Sequence, residues 1–276
     1  MKRYRVMRWD FDFRASWLAM EINNDWSDDI KESHLSTQDN IKRELMEEFG
    51  LRLFDTKLSN YIALGQKPIS VIAFHNKFYK QIRMSFVIGA YYPALTASCA
   101  LGERILNHLI LSLRNEYKST PEYKQIYQKD SFDNWDIPIS VLESWGVLLP
   151  DAGKAFRELK DKRNDAIHFR LETDYHDREL ALSAILCLKK IIDVQFMGFG
   201  LAPWFIEGAR GETFIKKEWE NNPFIKKVYL PNSFYVGHKH QIQSLQPQLV
   251  VNDNFEYENK EITDEEFINL RYFPKS

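Results

Sequence analysis

The chain has 276 residues, of which 44% are hydrophobic and 28% are charged, and its formal net charge is −2. This length allows one large domain or two small ones, with a core that needs no disulfide or metal. The net charge excludes a protein that attracts nucleic acid over its whole surface, so any such site must be a local patch.

The two cysteines, Cys99 and Cys187, lie inside apolar helical patterns. Two cysteines are too few for a Cys-rich zinc centre, so we predict buried thiols in a reducing compartment. The basic start Met1–Arg5 is followed by tryptophans and aspartates rather than an apolar run, and no stretch reaches 18 apolar residues. The pattern therefore predicts neither a secretion signal nor a membrane span, and we expect a cytoplasmic protein.

Residues 1–76 are typical of a small α/β extension. Residues 1–20 favour strand, with partial alternation of apolar and polar residues over 5–13, and the polar segment that follows predicts a loop. A capping sequence then predicts a helix that Gly50 ends, followed by a short helix and a strand. The expected bounds are strand 5–13, loop 23–36, helix 40–49, helix 51–64 and strand 69–74.

Residues 77–199 predict a helical bundle. A long helix is expected over 79–117, with Pro93 either kinking it or opening a new helix. Residues 121–138 are expected to form a loop with one turn. The last helix has the clearest 3.6-residue spacing of apolar positions, with Asp174 or Asp177 as its cap. The other helices are expected at 139–148 and 151–167, and the last ends near Phe196.

Residues 200–276 predict a β-rich region with an acidic tail. Gly208–Gly211 favours a hairpin turn between strands 204–207 and 212–216, and 224–229 and 234–236 are further strand candidates. Asp253–Glu266 holds seven carboxylates and one lysine, which is typical of a disordered solubilising end. The expected fold class is mainly α, and α+β overall, with this C-terminal β-hairpin region after the bundle.

The hexapeptide R-N-D-A-I-H places Arg163 and His168 five positions apart near the end of a predicted helix. Cleaving RNA without a metal requires a proton to leave the attacking ribose 2′-hydroxyl and another to reach the departing 5′-oxygen. Histidine exchanges protons near neutral pH, and the arginine fork binds the negative charge that builds on the phosphate. One histidine and one arginine per chain are few for two proton transfers and the binding of a charged phosphate. Two copies of the chain that face each other across a dimer axis supply two histidines and two arginines.

The spacing of this pair sets a structural condition. At about 100° per residue, the two side chains lie roughly 140° apart on a helix, so they converge only if the helix ends near Ile167. Asn164 and His168 are four apart and would touch on one turn. Basic residues outnumber acidic ones by three over Lys154–Arg170, which indicates a local phosphate-attracting patch. Its predicted RNA contacts are Lys160, Lys162 and Arg170.

The spacing of arginine and histidine is a weak pattern by itself, because short motifs arise by chance. A second match, Arg170 with His176, lies wholly in the predicted turn. The first match is preferred for its Arg-Asn opening and its place at the end of an amphipathic helix.

The order of helices around R-N-D-A-I-H resembles the RNxxxH signature of HEPN ribonucleases, a superfamily of toxins, abortive-infection proteins and CRISPR-associated nucleases. The segment Leu101–His108 resembles the first HEPN helix, which offers polar residues to the same site; Glu103 and Asn107 share its face. The resemblance covers about Phe78 to Phe196. It departs at Arg170, where some HEPN toxins carry a tyrosine that a partner nucleotidyltransferase modifies.

The resemblance implies a HEPN-like bundle and a homodimer whose composite site cleaves RNA without a metal or cofactor. It implies that Arg163 and His168 are catalytic, and that Asn164, Asp165, Glu103 and Asn107 support them. The products would carry 2′,3′-cyclic phosphate and 5′-hydroxyl ends. A role as a toxin or phage-defence effector would bring an antitoxin or regulatory partner, with no membrane partner.

Other interpretations of the same residues stay open. Arg163–Asp165 is also typical of a solvated helix end at which His168 interacts with the helix dipole. Glu103 and Asn107 are also typical of a polar stripe on a helix. Both interpretations fit a non-catalytic HEPN-like dimer that binds RNA or a partner protein. His238 and His240 would share one face of a strand and bind a metal. A further alternative is an RNA-binding surface made of lysines and aromatic residues: Lys216, Lys217, Lys226 and Lys227 with Phe214, Trp219 and Tyr229. A last group of aromatic residues is expected to pack in the core, with base stacking as the alternative: Trp9, Phe11, Phe13 and Trp17.

Overall fold

The computed structural model describes residues 1–167 and 175–273, and the side chains of 165–167 fall outside that description. Helices make up 56% of the chain and strands 11%, which confirms the expected mainly α, α+β class with small antiparallel sheets. The chain divides into two compact units. The helical unit comprises 10–69 and 74–196, and the second unit comprises 1–9, 70–73 and 197–276. The boundary after residue 196 lies three residues before the division expected at 199, whereas residues 10–69 group with the helical unit and residues 1–9 group with the C-terminal segment.

Helices dominate the larger unit. They are α1 (Arg14–Ala19), α2 (Asp28–Phe49), α3 (Phe54–Ala63), α4 (His75–Val87), α5 (Tyr91–Leu113), α6 (Tyr123–Ile126), α7 (Asp136–Ser144), α8 (Pro150–Ile167) and α9 (Asp177–Gln195). Helix α5 is the centre of the unit, and it packs against α4, α8 and α9. Its apolar residues Leu101, Ile105, Leu109 and Leu113 are buried and recur every four positions, as one face of a helix requires.

Two expectations for this part of the chain were wrong. Residues 14–19 form α1 rather than strand, and α2 begins twelve residues before the expected start, so it covers 28–36 of the expected loop. Ser27 is extended at the start of α2, and the first-turn carboxylates Asp28 and Asp29 suit the positive end of the helix dipole. Over 79–117 the structure confirms the alternative in which Pro93 opens a new helix. Pro93 lies in the first turn of α5, and Gly89, with a positive φ of 86°, lies between α4 and α5.

Strands β1 (Arg3–Val6), β2 (Trp9–Asp12) and β3 (Lys67–Val71) come from the first quarter of the chain, and β2 pairs with β3. In the smaller unit, β1 is the central strand of a three-stranded antiparallel sheet between β4 (Thr213–Phe214) and β5 (Ser233–Val236). A second hairpin joins β6 (Gln241–Ser244) to β7 (Val250–Asn252), and α10 (Asp264–Tyr272) follows.

The acidic tail is folded, so the expectation of a disordered end was wrong. Thr263 and Glu266 form a reciprocal capping box at the start of α10. Phe267 is fully buried in the core cluster of this unit, which also contains Ile206, Phe214 and Val236. Burial of one apolar face therefore holds the segment despite its charge.

One strand expectation in 203–240 also fails: residues 225–229 form a π-helical turn rather than a strand. The hairpin expected about Gly208–Gly211 is present in a short form. Phe205 and Ile215 form an antiparallel bridge, the Ile206 amide donates to the Phe214 carbonyl oxygen at 2.9 Å, and the Lys216 amide donates to the Trp204 carbonyl oxygen at 2.8 Å. The other edge of β4 pairs with β1. The strand expected at 234–236 is confirmed within β5.

A buried histidine links the strands of this unit. His240 is fully buried; its Nδ1 lies 2.6 Å from the Gly237 carbonyl oxygen and its Nε2 lies 2.5 Å from Nη1 of Arg5. Arginine can only donate, so Nε2 must accept and the ring must be neutral with its proton on Nδ1. Burial is the main cause that lowers the pKa of His240 to about 4.

We expect the protein to lose stability in mild acid. Burial lowers the pKa of His75 to about 3 and that of His240 to about 4, whereas both histidines in the unfolded chain titrate near 6.5. Below about pH 6.5 these histidines bind protons in the unfolded chain but not in the folded one. Their contribution to the free energy of unfolding is therefore complete above about pH 6.5 and is lost as the pH falls towards 4. Thermal melts across pH 4–8 measure this. The pH dependence should be shallower in His240→Gln, and an equal dependence in both proteins would contradict the assignment.

Among the described residues, no helix combines the length and apolar character needed to cross a membrane.

Candidate functional site

A cleft of about 390 Å³ opens on the surface of α5 where α8 passes it. It brings together three residues that the sequence singled out, Glu103 and Asn107 from α5 and Arg163 from α8. Thr96, Cys99, Ala100 and Arg104 complete its lining. Helical periodicity explains the α5 part of this set, because positions three and four apart share one face.

Arg163 is held in place by two side chains. Its Nη2 lies 3.3 Å from Oε2 of Glu103, and its guanidinium carbon lies 5.9 Å from the centre of the Trp135 ring. The indole Nε1 of Trp135 donates to the same Glu103 oxygen at 3.2 Å. About a quarter of each side chain of the ion pair is exposed. The guanidinium has five N–H donors, so this contact leaves it able to bind a phosphate oxygen pair.

Close approach of the chain at Gly102 makes this geometry possible. A Cβ atom at Gly102 would lie 2.6 Å from Cδ2 of Leu159 on α8 and 2.9 Å from the Trp135 ring. Both distances are shorter than any ordinary carbon contact. Glycine therefore lets α5 approach α8 and Trp135 closely at the position next to Glu103.

Two other residues of the cleft define its chemistry. The Oδ1 atom of Asn107 is buried and has no hydrogen-bond partner among the described residues, which is costly unless a donor reaches it. Burial raises the pKa of the Cys99 thiol to about 12, although Arg163 and Lys162 oppose this shift. Cys99 is therefore protonated at neutral pH and is not a thiolate nucleophile.

Other predicted residues on α8 lie away from this cleft. The side chain of Asn164 is exposed and does not line it. Lys160 pairs with Asp136 at 2.7 Å, and Lys162 is half-buried outside the lining. His168 and Arg170, together with the side chain of Asp165, lie outside the described residues, so their predicted roles stay predictions.

The alternative metal site at His238 and His240 is not formed. These residues lie in a turn rather than a strand, and His240 is committed to Arg5 and Gly237. Across 1–167 and 175–273, no group of three His, Cys, Asp or Glu residues is placed to hold a metal ion.

The alternative RNA-binding surface of paired lysines is wrong for two of its three aromatic residues. Phe214 and Tyr229 are completely buried and so are unavailable to stack on bases, whereas Trp219 is partly exposed. Lys216 pairs with Glu207, and Lys217 pairs with Glu220 and Glu261.

Trp135 is the residue of this cleft that sequence reasoning missed. It lies in a segment expected to be a loop, 32 positions after Glu103 and 28 before Arg163. Nothing in local spacing marks such a contact, because the ring reaches the ion pair through tertiary packing.

No protein-family model, no curated protein and no solved structure matches this chain. The chemistry of the cleft is therefore argued from its own atoms. It offers one oriented guanidinium to an anion, together with a carboxylate and an amide oxygen that accept hydrogen bonds. Such a set suits a phosphate that has hydroxyl groups beside it.

Proposed function

We propose that this chain is a metal-independent endoribonuclease of HEPN type, acting as a toxin or phage-defence effector. The observation that supports the proposal is the position of Arg163. The arginine of R-N-D-A-I-H lies in one cleft with Glu103 and Asn107, clamped by Glu103 and Trp135. Preorganised donors of this kind stabilise charge that develops in a transition state, because they need no rearrangement during the reaction.

The reaction proposed is an internal transfer at phosphorus. The ribose 2′-oxygen forms a bond to phosphorus as a histidine takes the 2′-hydroxyl proton, and the bond from phosphorus to the 5′-oxygen breaks as that oxygen gains a proton. Arg163 binds the non-bridging oxygens, where the extra negative charge collects. The products are a 2′,3′-cyclic phosphate and a 5′-hydroxyl, and no water or metal enters the step.

The histidine in this proposal is His168, and a second copy of the chain supplies the second histidine. A base and an acid must act on opposite sides of the phosphorus, and one R-N-D-A-I-H sequence provides one histidine. A homodimer with the two sequences facing each other meets that requirement. An antitoxin or regulatory partner would then be needed to hold the activity in check.

The test compares three proteins expressed in bacteria: wild type, His168→Ala and His176→Ala. We expect wild type to arrest growth and fragment total RNA, His168→Ala to do neither, and His176→Ala to behave as wild type. His176 is the matched control, because it is exposed beside α9 and belongs to the other arginine–histidine match. Cleavage by purified wild type should persist in a chelator and leave cyclic phosphate ends.

Two outcomes would contradict the proposal. Loss of RNA cleavage in a chelator would show a metal enzyme. Full activity in His168→Ala would remove the proposed base. If none of the three proteins cleaves RNA but all bind it equally, a non-catalytic RNA-binding dimer becomes the better account. The ion pair of Glu103 with Arg163 is compatible with that account, because it neutralises the arginine.

A further inference from the structure

The helical unit contains a second and larger cleft, of about 590 Å³, formed by β2, the turn after it, the first residue of β3 and helices α1 to α4. Its volume falls within the range of about 300–1,000 Å³ typical of small-molecule sites. It shares no lining residue with the cleft that contains Glu103, Asn107 and Arg163. Its lining combines aromatic rings with charged side chains, which is the usual composition of a ligand site.

Aromatic rings line part of this cleft. Phe11 and Phe13 have ring centres 5.1 Å apart, and Trp17 and Tyr61 also line the space. Phe11 is 53% exposed and Trp17 is 42% exposed, so the expectation that these two residues belong to the core was wrong. Exposed rings that line a cavity offer flat apolar surface to a planar ligand.

Ion pairs also line the cleft. Asp12 accepts hydrogen bonds from the Tyr61 hydroxyl at 2.8 Å and from Nη2 of Arg14 at 2.9 Å. Arg14 also pairs with Glu48 at 3.0 Å, and Lys67 pairs with Asp10. Each of the three carboxylates is paired, but Asp12 and Glu48 share Arg14, so these five groups together carry one net negative charge.

Two further cations, Arg83 and Lys80, bring the net charge of the cleft lining to +1. Arg83 is 6% exposed and donates to the carbonyl oxygens of Gly65 at 2.8 Å and Leu64 at 3.5 Å. Its guanidinium carbon lies 5.9 Å from the ring centres of Tyr61 and Tyr79. No carboxylate among the described residues lies within ion-pair distance of it. Lys80 precedes it by three positions on α4, is exposed, and makes no ion pair within the described part of the chain. A nearly buried charge without a counter-charge is costly, so an anion bound here would be stabilised.

We propose that this cleft binds a nucleoside monophosphate. The base stacks on the rings of Phe11 and Trp17, and the phosphate lies towards Lys80 and Arg83. The carboxylate of Glu48, one-third exposed, accepts hydrogen bonds from the sugar hydroxyls. In this arrangement the planar base stacks on aromatic side chains and the negatively charged phosphate contacts cationic side chains. This proposal does not depend on RNA cleavage by the other cleft.

The test is calorimetric titration of the purified full chain with AMP, GMP, CMP and UMP, each compared with its nucleoside. We expect at least one nucleotide to bind, and its nucleoside to bind at least tenfold more weakly because the phosphate is missing. Trp17→Ala should weaken nucleotide binding roughly five- to hundredfold, the range for losing one stacked base. Lys80→Ala should weaken it about tenfold.

Lys77→Ala is the matched control, because Lys77 is an exposed lysine on the same helix outside the lining. It should bind the nucleotide as wild type does. The proposal is overturned if no nucleotide binds at millimolar concentration, or if Trp17→Ala and Lys80→Ala bind as tightly as Lys77→Ala. Circular dichroism of each variant distinguishes lost binding from lost folding, and Phe11→Ala provides a second exposed ring if Trp17→Ala misfolds. RNA cleavage by the same variants should be unchanged, so either proposal can fail without the other.

Discussion

Arg163→Ala is expected to lower the rate of RNA cleavage by about 10²–10³-fold, the usual effect of removing one preorganised donor from a transition state. The guanidinium is held by Glu103 and Trp135, so it needs no reordering when the phosphate gains charge. Arg163→Lys should recover part of the rate, because lysine keeps the charge but loses the planar two-point contact. Single-turnover cleavage of a labelled RNA measures both variants.

The same helix provides the control for that experiment. Arg157 also lies on α8, but it makes a two-point contact with Glu143 at 2.8 and 2.7 Å and does not line the cleft. Arg157→Ala removes an arginine from the same helix and should cleave RNA at the wild-type rate. If Arg163→Ala matches Arg157→Ala in rate while both keep the wild-type circular dichroism spectrum, Arg163 has no part in the reaction.

Phe267→Ala is expected to lower the free energy of unfolding by about 3–5 kcal/mol, the usual cost of truncating a fully buried phenylalanine. Its ring is completely buried, with its centre 5.0 Å from that of Phe214 and the guanidinium carbon of Arg3 5.9 Å away. The truncation would leave a cavity where α10 packs on the sheet. Urea unfolding followed by tryptophan fluorescence gives the value.

Phe273 is the matched residue for this measurement, because it follows α10 and is 55% exposed. Its ring contacts Arg210, whose guanidinium carbon lies 4.9 Å from the ring centre. Phe273→Ala should therefore cost less than about 1 kcal/mol. Equal destabilisation by the two substitutions would mean that α10 does not pack as described.

Helical periodicity accounts for the parts of the fold that could be predicted from the sequence. In α9 the apolar positions Ala184, Ile185, Leu188, Ile191 and Ile192 follow 3.6-residue spacing, and all are buried. Such a pattern is local, so it predicts the helix without knowledge of its partner. The start of α10 also had a local signal, the capping box of Thr263 and Glu266, which the acidic composition outweighed in the sequence-based interpretation.

The candidate site divides in the same way. Helical spacing placed Glu103 and Asn107 on one face of a helix, and the resemblance, not the spacing, paired that face with Arg163. The contact with Trp135 depends on Gly102 letting two helices approach, and a single sequence does not reveal such an approach. The larger cleft was missed because its aromatic and charged residues come from six separate elements, and aromatic residues in an α/β segment are usually core.

The central position of β1 has a consequence for synthesis on the ribosome. Thr213, which pairs with Val6, follows it by 207 residues, and β5 comes later still. At about 5–20 residues per second, β1 waits roughly 10–40 seconds for its partners, while the segments of the helical unit emerge and can fold. During that interval the strand carries unpaired backbone groups, which are the usual starting point for aggregation. We therefore expect a nascent chain that has been synthesised only as far as α9 to expose this strand to chaperones. The exposure should end once β4 and β5 have been synthesised.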